Sequence, residues 1–217
     1  MTTHSDLQLE TLDIESYLDG LASSASTPGG GAVAGLAGAQ AAALLSMVCN
    51  LSRGDLFADV SKDIDEINES CEAARNRLLI LANDDARVFR GVMHAYALPK
   101  SSAEEKSDRT IAIQLALGAA AEVPLKVMQE TSLLLPLADR LADIGNTNLV
   151  SDIGVAVYLI DATLSSARLN ILINIRQLKD EALVKGFNDS MAATLENLTL
   201  LKSGVLEKVN TKIGQGT

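Results

Sequence analysis

The chain has 217 residues, of which 47% are hydrophobic but only 3% aromatic, and its formal net charge is −10. That length and hydrophobic content suit one domain with a sizeable core and exclude a disordered chain. The acidic balance, with no Lys/Arg cluster in view, excludes a sequence-independent nucleic-acid binder, which must neutralise phosphates over a basic face.

Ala, Leu, Ile and Val abound and Trp is absent, a mix that favours helices packed by small and aliphatic side chains. No strand pattern and no internal repeat is visible. The expected fold class is therefore all-α, an up-and-down bundle of long, partly kinked helices. Residues 1–10 are polar and acidic and read as a flexible leader, without the basic and apolar regions of a signal peptide. Residues 11–217 read as a single helical domain. A short helix is expected from Leu12 to Leu21, with Ile14, Tyr17, Leu18 and Leu21 on one face.

The stretch Ser26–Leu51, STPGGGAVAGLAGAQAAALLSMVCNL, is the one around which the chain is organised. Ser26 or Thr27 suits an N-cap and Pro28 the first helical position. Gly29, Gly30 and Gly31 follow. Gly31, Gly35, Ala39 and Ala43 lie four apart, so one face carries almost no side chain. Each glycine at a helix start costs roughly 1 kcal/mol against Ala. Two readings offset that cost: close burial of a central helix, or bare amides at the positive end of the helix dipole holding a polar ligand group. No Gly-Lys-Ser/Thr follows, so this is not a phosphate loop. The uncharged run Gly31–Cys49 is the one membrane-span candidate, and its Gln40 and lack of flanking aromatic belts argue against it. Gly54 is the expected helix stop.

A long helix is expected from Asp59 to about Tyr96. Ile64, Ile67, Cys71, Ala74, Leu78, Leu81, Val88 and Val92 form a heptad seam. The seam position missing from that series is Asp85. An inward carboxylate is costly unless paired or hydrogen-bonded. It is either a register-fixing polar layer or a functional group.

The turn Ala97–Ser101 leads to a capping box at Ser102 and Glu105. The helix it opens should kink at Pro124 and again at Pro136 before a left-handed cap at Gly145-Asn146. Another begins at Ser151-Asp152 and runs to about Leu178, nearly all apolar and so expected to be buried. Asp152 suits its N-terminus, while Asn170 and Asn174 share a face and need partners. The last helix should run from Asp180 to about Val209, as an outer packing helix or a dimer seam.

Cys49 and Cys71 lie in apolar helical patterns and read as reduced core residues of a cytoplasmic protein. His94 is the single internal histidine. That count argues against a His/Cys metal site and against a Ser-His-Asp triad.

Taken in order, these segments resemble the cyclodeaminase/cyclohydrolase family of folate enzymes. The matching stretches are YLDGLASSASTPGGGAVAGLAGAQAAALLSMVCNLS, DDARVF, MHAYALPK, EVPLKV, IGNTNLVSDIGVAV and NILINIRQL. The resemblance implies an all-helical bundle, usually a homodimer, with a folate pocket between helices near the subunit interface. It implies either hydrolysis of 5,10-methenyltetrahydrofolate to 10-formyltetrahydrofolate or loss of ammonia from 5-formiminotetrahydrofolate. Neither reaction needs a metal or a cofactor beyond the tetrahydrofolate substrate itself. Carried over by position, the family's Gly-rich turn is Thr27, Pro28, Gly29, Gly30 and Gly31. Its acidic residue before Ala-x-x-Phe is Asp85, and its Gly-Asn…Ser-Asp segment is Gly145, Asn146, Ser151 and Asp152.

Asp85 is the expected proton-transferring group and Asp152 its partner acid or water-orienting group. Asn146, Asn170 and the Gly29–Gly31 turn are candidates for the pterin edge. Arg53, Lys100 and Arg109 are candidates for the anionic glutamate tail. The family's usual lysines after the Gly-rich helix are absent here, where the sequence is Arg53-Gly54-Asp55-Leu56-Phe57. That departure keeps open a folate-binding relative without turnover, and a purely structural helical dimer is the third reading.

Overall fold

The computed structural model describes residues 9–214. It contains eight α-helices: α1 Ile14–Ala22, α2 Gly30–Asn50, α3 Ser61–Ala97, α4 Ala103–Ser132, α5 Leu134–Ile144, α6 Val150–Ile175, α7 Glu181–Leu195 and α8 Leu198–Gly214. No strand occurs among the described residues. Most of the expected leader lies outside them. Leu9 opens a short 3-10 turn, is buried, and donates its amide to Asn83 Oδ1 at 2.8 Å.

The centre is a four-helix packing of α2, α3, α4 and α6. α2 fits there because its side chains are small: twelve of its residues, Gly31 to Cys49, are buried. Gly35 lets α3 come so close that a Cβ would lie 2.8 Å from the Ala82 Cβ and 3.0 Å from its Cα. Gly38 takes the Thr131 hydroxyl and Leu78 in the same way. The α3 seam is as expected, with Ile64, Ile67, Cys71, Ala74, Leu78, Leu81 and Val92 all buried. Cys49 and Cys71 are both free and buried, and burial pushes their thiols up to about 11 and about 12.

α4 opens on the expected capping box, Ser102 and Glu105 each accepting from the other's amide. Its helix continues through Pro124 to Ser132. The second interruption falls at Leu133 rather than Pro136. Pro136 is the third residue of α5, where a missing N–H costs nothing. Gly145 is extended (φ −76°, ψ 174°), not left-handed, and its N–H closes back on Leu141 O at 2.8 Å. α6 ends at Ile175, three residues short of Leu178.

The last expected helix is two. α7 and α8 meet at an elbow where Asn197 adopts φ +62°, and one of the residues that tolerate this conformation stands there. Phe187, Met191, Val205 and Val209 are nonetheless buried, so both halves pack on the bundle. By length and composition three stretches, not one, are apolar enough to cross a membrane: Gly30–Asn50, Ala103–Ile144 and Thr147–Ile175. α4 and α6 qualify because each contains a long run with few charges. All three pack against one another here.

Candidate active site

The N-terminal turn of α2 meets α3 at Gly31 and Asp85. Pro28 does not open the helix as expected. The Thr27–Pro28 peptide is cis, Gly29 is the N-cap, and α2 starts at Gly30. Gly29 brings no side chain to satisfy the first amides. Asp85 does so from the neighbouring helix: its carboxylate accepts from the Ala32 amide. The carboxylate lies so close to Gly31 that a Cβ there would occupy the same space as Oδ1 and Cγ. A negative group at this end is favoured by the helix dipole. Burial nevertheless dominates and raises the Asp85 pKa above its ordinary 3.8, with the Ala32 bond opposing in part.

Asp85 borders a cavity of about 380 Å³ enclosed by α2, α3, α4 and α6. Its apolar walls include Val88, Phe89, Val92 and Leu117, and Asp85 is its one charged lining residue among the described residues. Thr27, Gly29, Gly30 and Asn170 line it too, as expected. Asn170 Nδ2 donates to Ser166 O at 2.9 Å. Asn174 Nδ2 donates to Ala120 O at 3.2 Å and Asn170 O at 2.8 Å. Asn174 thus spends both amide donors on backbone and Asn170 one of its two, which leaves each Oδ1 as an acceptor and one Asn170 N–H as a donor. Asn170 Oδ1 faces Gly30, whose Cβ position lies 3.6 Å away. The cavity therefore offers a carboxylate and amide acceptors, together with the bare amides of the glycine turn.

Several lining residues lie outside the sequence pattern that marks Asp85 and the glycine turn. Phe89 sits one turn beyond Asp85 in the quoted DDARVF stretch, and helical spacing alone places it on the same side. Tyr96 and Gln177 join α3 to the end of α6 through a 2.5 Å hydrogen bond from the Tyr96 hydroxyl to Gln177 Oε1. Nothing in the local sequence pairs them.

Pro28 is buried beside this turn, with its ring near Gly20. Arg109 stands one layer back, its guanidinium 5.6 Å from the Tyr96 ring centroid and bonded to Tyr96 O at 3.0 and 3.3 Å. Lys100 is exposed in the α3–α4 turn and does not line the cavity.

Arg53, Asn146 and Asp152 are not brought to Asp85 within one chain. Asn146 Nδ2 donates to Leu51 O at 3.1 Å and its backbone amide to Ser52 Oγ at 2.8 Å, so it sits at the C-terminal end of α2. Arg53 is ion-paired there with Asp65. Asp152 lies in the first turn of α6, and from it to Asn170 the helix climbs about 27 Å at 1.5 Å per residue. The two share one face of α6 but stand at opposite ends.

The sequence profile of the formiminotransferase-cyclodeaminase family matches residues 13–193. The chain belongs to that family. It is 41% identical over 201 residues to a methenyltetrahydrofolate cyclohydrolase of Methylorubrum extorquens, covering 92% of this chain and 97% of that one. It is 36% identical over 155 residues to the formimidoyltransferase-cyclodeaminase of Rattus norvegicus, covering 71% of this chain but 29% of that longer protein. The crystal structure of a formiminotetrahydrofolate cyclodeaminase from Thermotoga maritima superposes with a TM-score of 0.80 at 33% identity, covering 95% of this chain and 98% of that one. Membership in the family fits the all-helical bundle, and no group of three His, Cys, Asp or Glu side chains able to hold a metal occurs among the described residues.

Proposed function

We propose that the protein hydrolyses 5,10-methenyltetrahydrofolate to 10-formyltetrahydrofolate. The observation that carries this reading is the Asp85 carboxylate, buried against the Gly29–Gly31 turn as the one charge in an otherwise uncharged cavity. A relative matched along nearly its full length carries the corresponding name.

The methenyl carbon joins N5 and N10 and shares a positive charge with them. A lone carboxylate in a poorly solvated cavity attracts that cation. Its raised pKa moves it toward the range useful for taking and returning a proton. Water adds to the carbon while Asp85 accepts its proton. The C–N5 bond then breaks, N5 takes the proton back from Asp85, and the remaining hydroxyl proton leaves as the formyl C=O forms on N10. One water is consumed and one proton is released to solvent. Asn170 and Asn174 present acceptors suited to the amino and ring N–H groups of a pterin edge.

Loss of ammonia from 5-formiminotetrahydrofolate is the second reading, favoured by the Thermotoga maritima neighbour. It needs the same carboxylate and the same pterin contacts. Incubating the purified chain with each folate separates the two: hydrolysis removes the methenyl absorbance faster than the spontaneous rate, and deamination creates it. Saturable folate binding with neither change is the result for a relative that has lost turnover. Arg53, the cation nearest the position of the missing lysines, is neutralised by Asp65.

A homodimer is part of this reading. α6 leaves Val155, Tyr158, Leu169 and Ile173 at least half exposed along one stripe, and α2, antiparallel beside it, leaves Val33 exposed, with Leu51 exposed just past its end. A contiguous apolar surface of this kind marks an association face. A two-fold axis across the helices would bring the Asp152 end of one copy to the Asp85 end of the other. The supporting observation is that the two clusters of family residues share this side of the bundle and lie too far apart to meet within one chain. Sedimentation of the purified protein tests it, a monomer at micromolar concentration counting against it.

A further inference from the structure

A second cavity, of about 180 Å³, lies under the α7–α8 elbow. It occupies the opposite face of α6 from the cleft. Arg168 lines this cavity and Asn170 lines the other, and two residues on a helix are separated by about 200°. Its floor is made by Leu135, Val157, Ile160 and Leu164, all buried. Its charged lining groups are Arg168, Lys202 and Asp161, with the hydroxyls of Ser165 and Thr199 beside them. Lys202 Nζ holds Asp161 Oδ1 at 2.8 Å, which leaves the Arg168 charge without a carboxylate partner among the described residues.

That imbalance runs against the chain as a whole. Acidic residues outnumber basic ones, 28 to 18. Arg53, Arg75, Arg77, Arg87 and Arg140 each hold a carboxylate. At this apolar cavity two cations, Arg168 and Lys202, face one anion, Asp161, so the site carries one uncompensated positive charge. An apolar cavity of about 150 Å³ is enough to take up a benzene ring. A guanidinium fork beside it matches a carboxylate in geometry and charge.

We propose that this cavity binds a small monocarboxylate with an apolar body of six or so carbons, such as benzoate or hexanoate. The hydrocarbon fills the space over Leu164 and Val157 while the carboxylate meets Arg168 and the free donors of Lys202. This site is independent of the folate cleft and of the reaction assigned to it.

Isothermal titration of the full chain with sodium benzoate tests the proposal. A ligand this small is expected to bind with a Kd on the order of 1 mM. Acetate, which lacks the apolar body, and benzyl alcohol, which lacks the charge, should each bind at least about tenfold more weakly. Arg168→Gln should weaken benzoate by about tenfold, because it removes the one unpaired charge. Ser165→Trp, at an exposed position of α6 that lines the cavity, should block it without overfilling the core. Asn170→Ala, on the other face of α6, should leave benzoate affinity within about twofold. Absence of saturable binding at about 10 mM overturns the proposal. So does binding that survives both Arg168→Gln and Ser165→Trp, or binding lost in Asn170→Ala alone, which would place benzoate in the cleft.

Discussion

Gly31 and Asp85 occupy one another's space: the position a side chain would take on Gly31 is filled by the carboxylate of Asp85. The glycine turn and the acidic interruption of the α3 seam are therefore two halves of one feature. The glycine admits the carboxylate, and the carboxylate receives the Ala32 amide that no side chain on α2 caps.

Substitutions at two glycines of α2 should separate function from stability. In Gly31→Ala the new methyl displaces only the carboxylate, an end group that can rotate away. We expect a loss of about 100-fold in kcat/KM, as for a reacting group moved by an ångström, with a stability change below about 1 kcal/mol. In Gly35→Ala the methyl meets Ala82 backbone at 3.0 Å, which cannot rotate away. That variant should lose about 2 kcal/mol or more in urea unfolding, the usual cost of overpacking.

Asp85→Asn should stabilise the fold at neutral pH while removing the proton acceptor. The folded pKa is raised, so the folded chain binds the proton more tightly than the unfolded chain does. Stability then falls as pH rises from the unfolded value near 3.8 through the folded one, and above it the buried charge is a standing cost. Asn carries no such charge and keeps an oxygen for the Ala32 amide. The gain in Tm over the parent should be largest near pH 7 and should vanish at about pH 3.5, below both values. Thermal unfolding at the two pH values measures it.

How much of this was legible in the sequence follows from what kind of order each feature depends on. The α3 seam and Asp85 within it could be read because helical spacing is local, and so could the Ser102–Glu105 capping box. The α7–α8 elbow could not: Thr194-Leu195-Glu196-Asn197-Leu198 contains no Gly or Pro, and the 4-and-3 spacing of Phe187, Met191, Thr194, Leu198 and Leu201 runs straight through it. The Gly145 cap was misread because glycine permits a left-handed conformation without requiring it. The distance between Asp85 and Asp152 was hidden for a different reason. Both residue identities carry over from the family, but the antiparallel placement of α2 and α6 that separates them is a tertiary fact. The Tyr96–Gln177 bond is tertiary in the same sense.

Mixing two inactive variants should recover activity if each site draws on two chains. Asp85→Asn and Asp152→Asn are expected to be at least about 100-fold impaired alone. Re-equilibrated together, half the dimers are mixed and one of their two sites is intact, so about a quarter of the parent activity should return. Two variants that stay inactive after exchange would place both aspartates in the service of one chain.

Replacing Tyr158 with Arg on the exposed stripe of α6 should shift the proposed dimer to monomer, and turnover should fall with it. Its melting temperature should change little, because the side chain is 62% exposed in the single chain. Sedimentation and the absorbance assay, run at the same protein concentration, check the two effects together.

The central claim is that the Asp85 carboxylate carries the proton in methenyl hydrolysis. Its most direct test is the loss of methenyltetrahydrofolate absorbance with the parent chain and with Asp85→Asn, under substrate saturation. The account predicts acceleration over the spontaneous rate by the parent and a fall in kcat of about 100-fold or more in Asp85→Asn, with folate binding retained. A variant that binds folate and turns it over at the parental rate would contradict it.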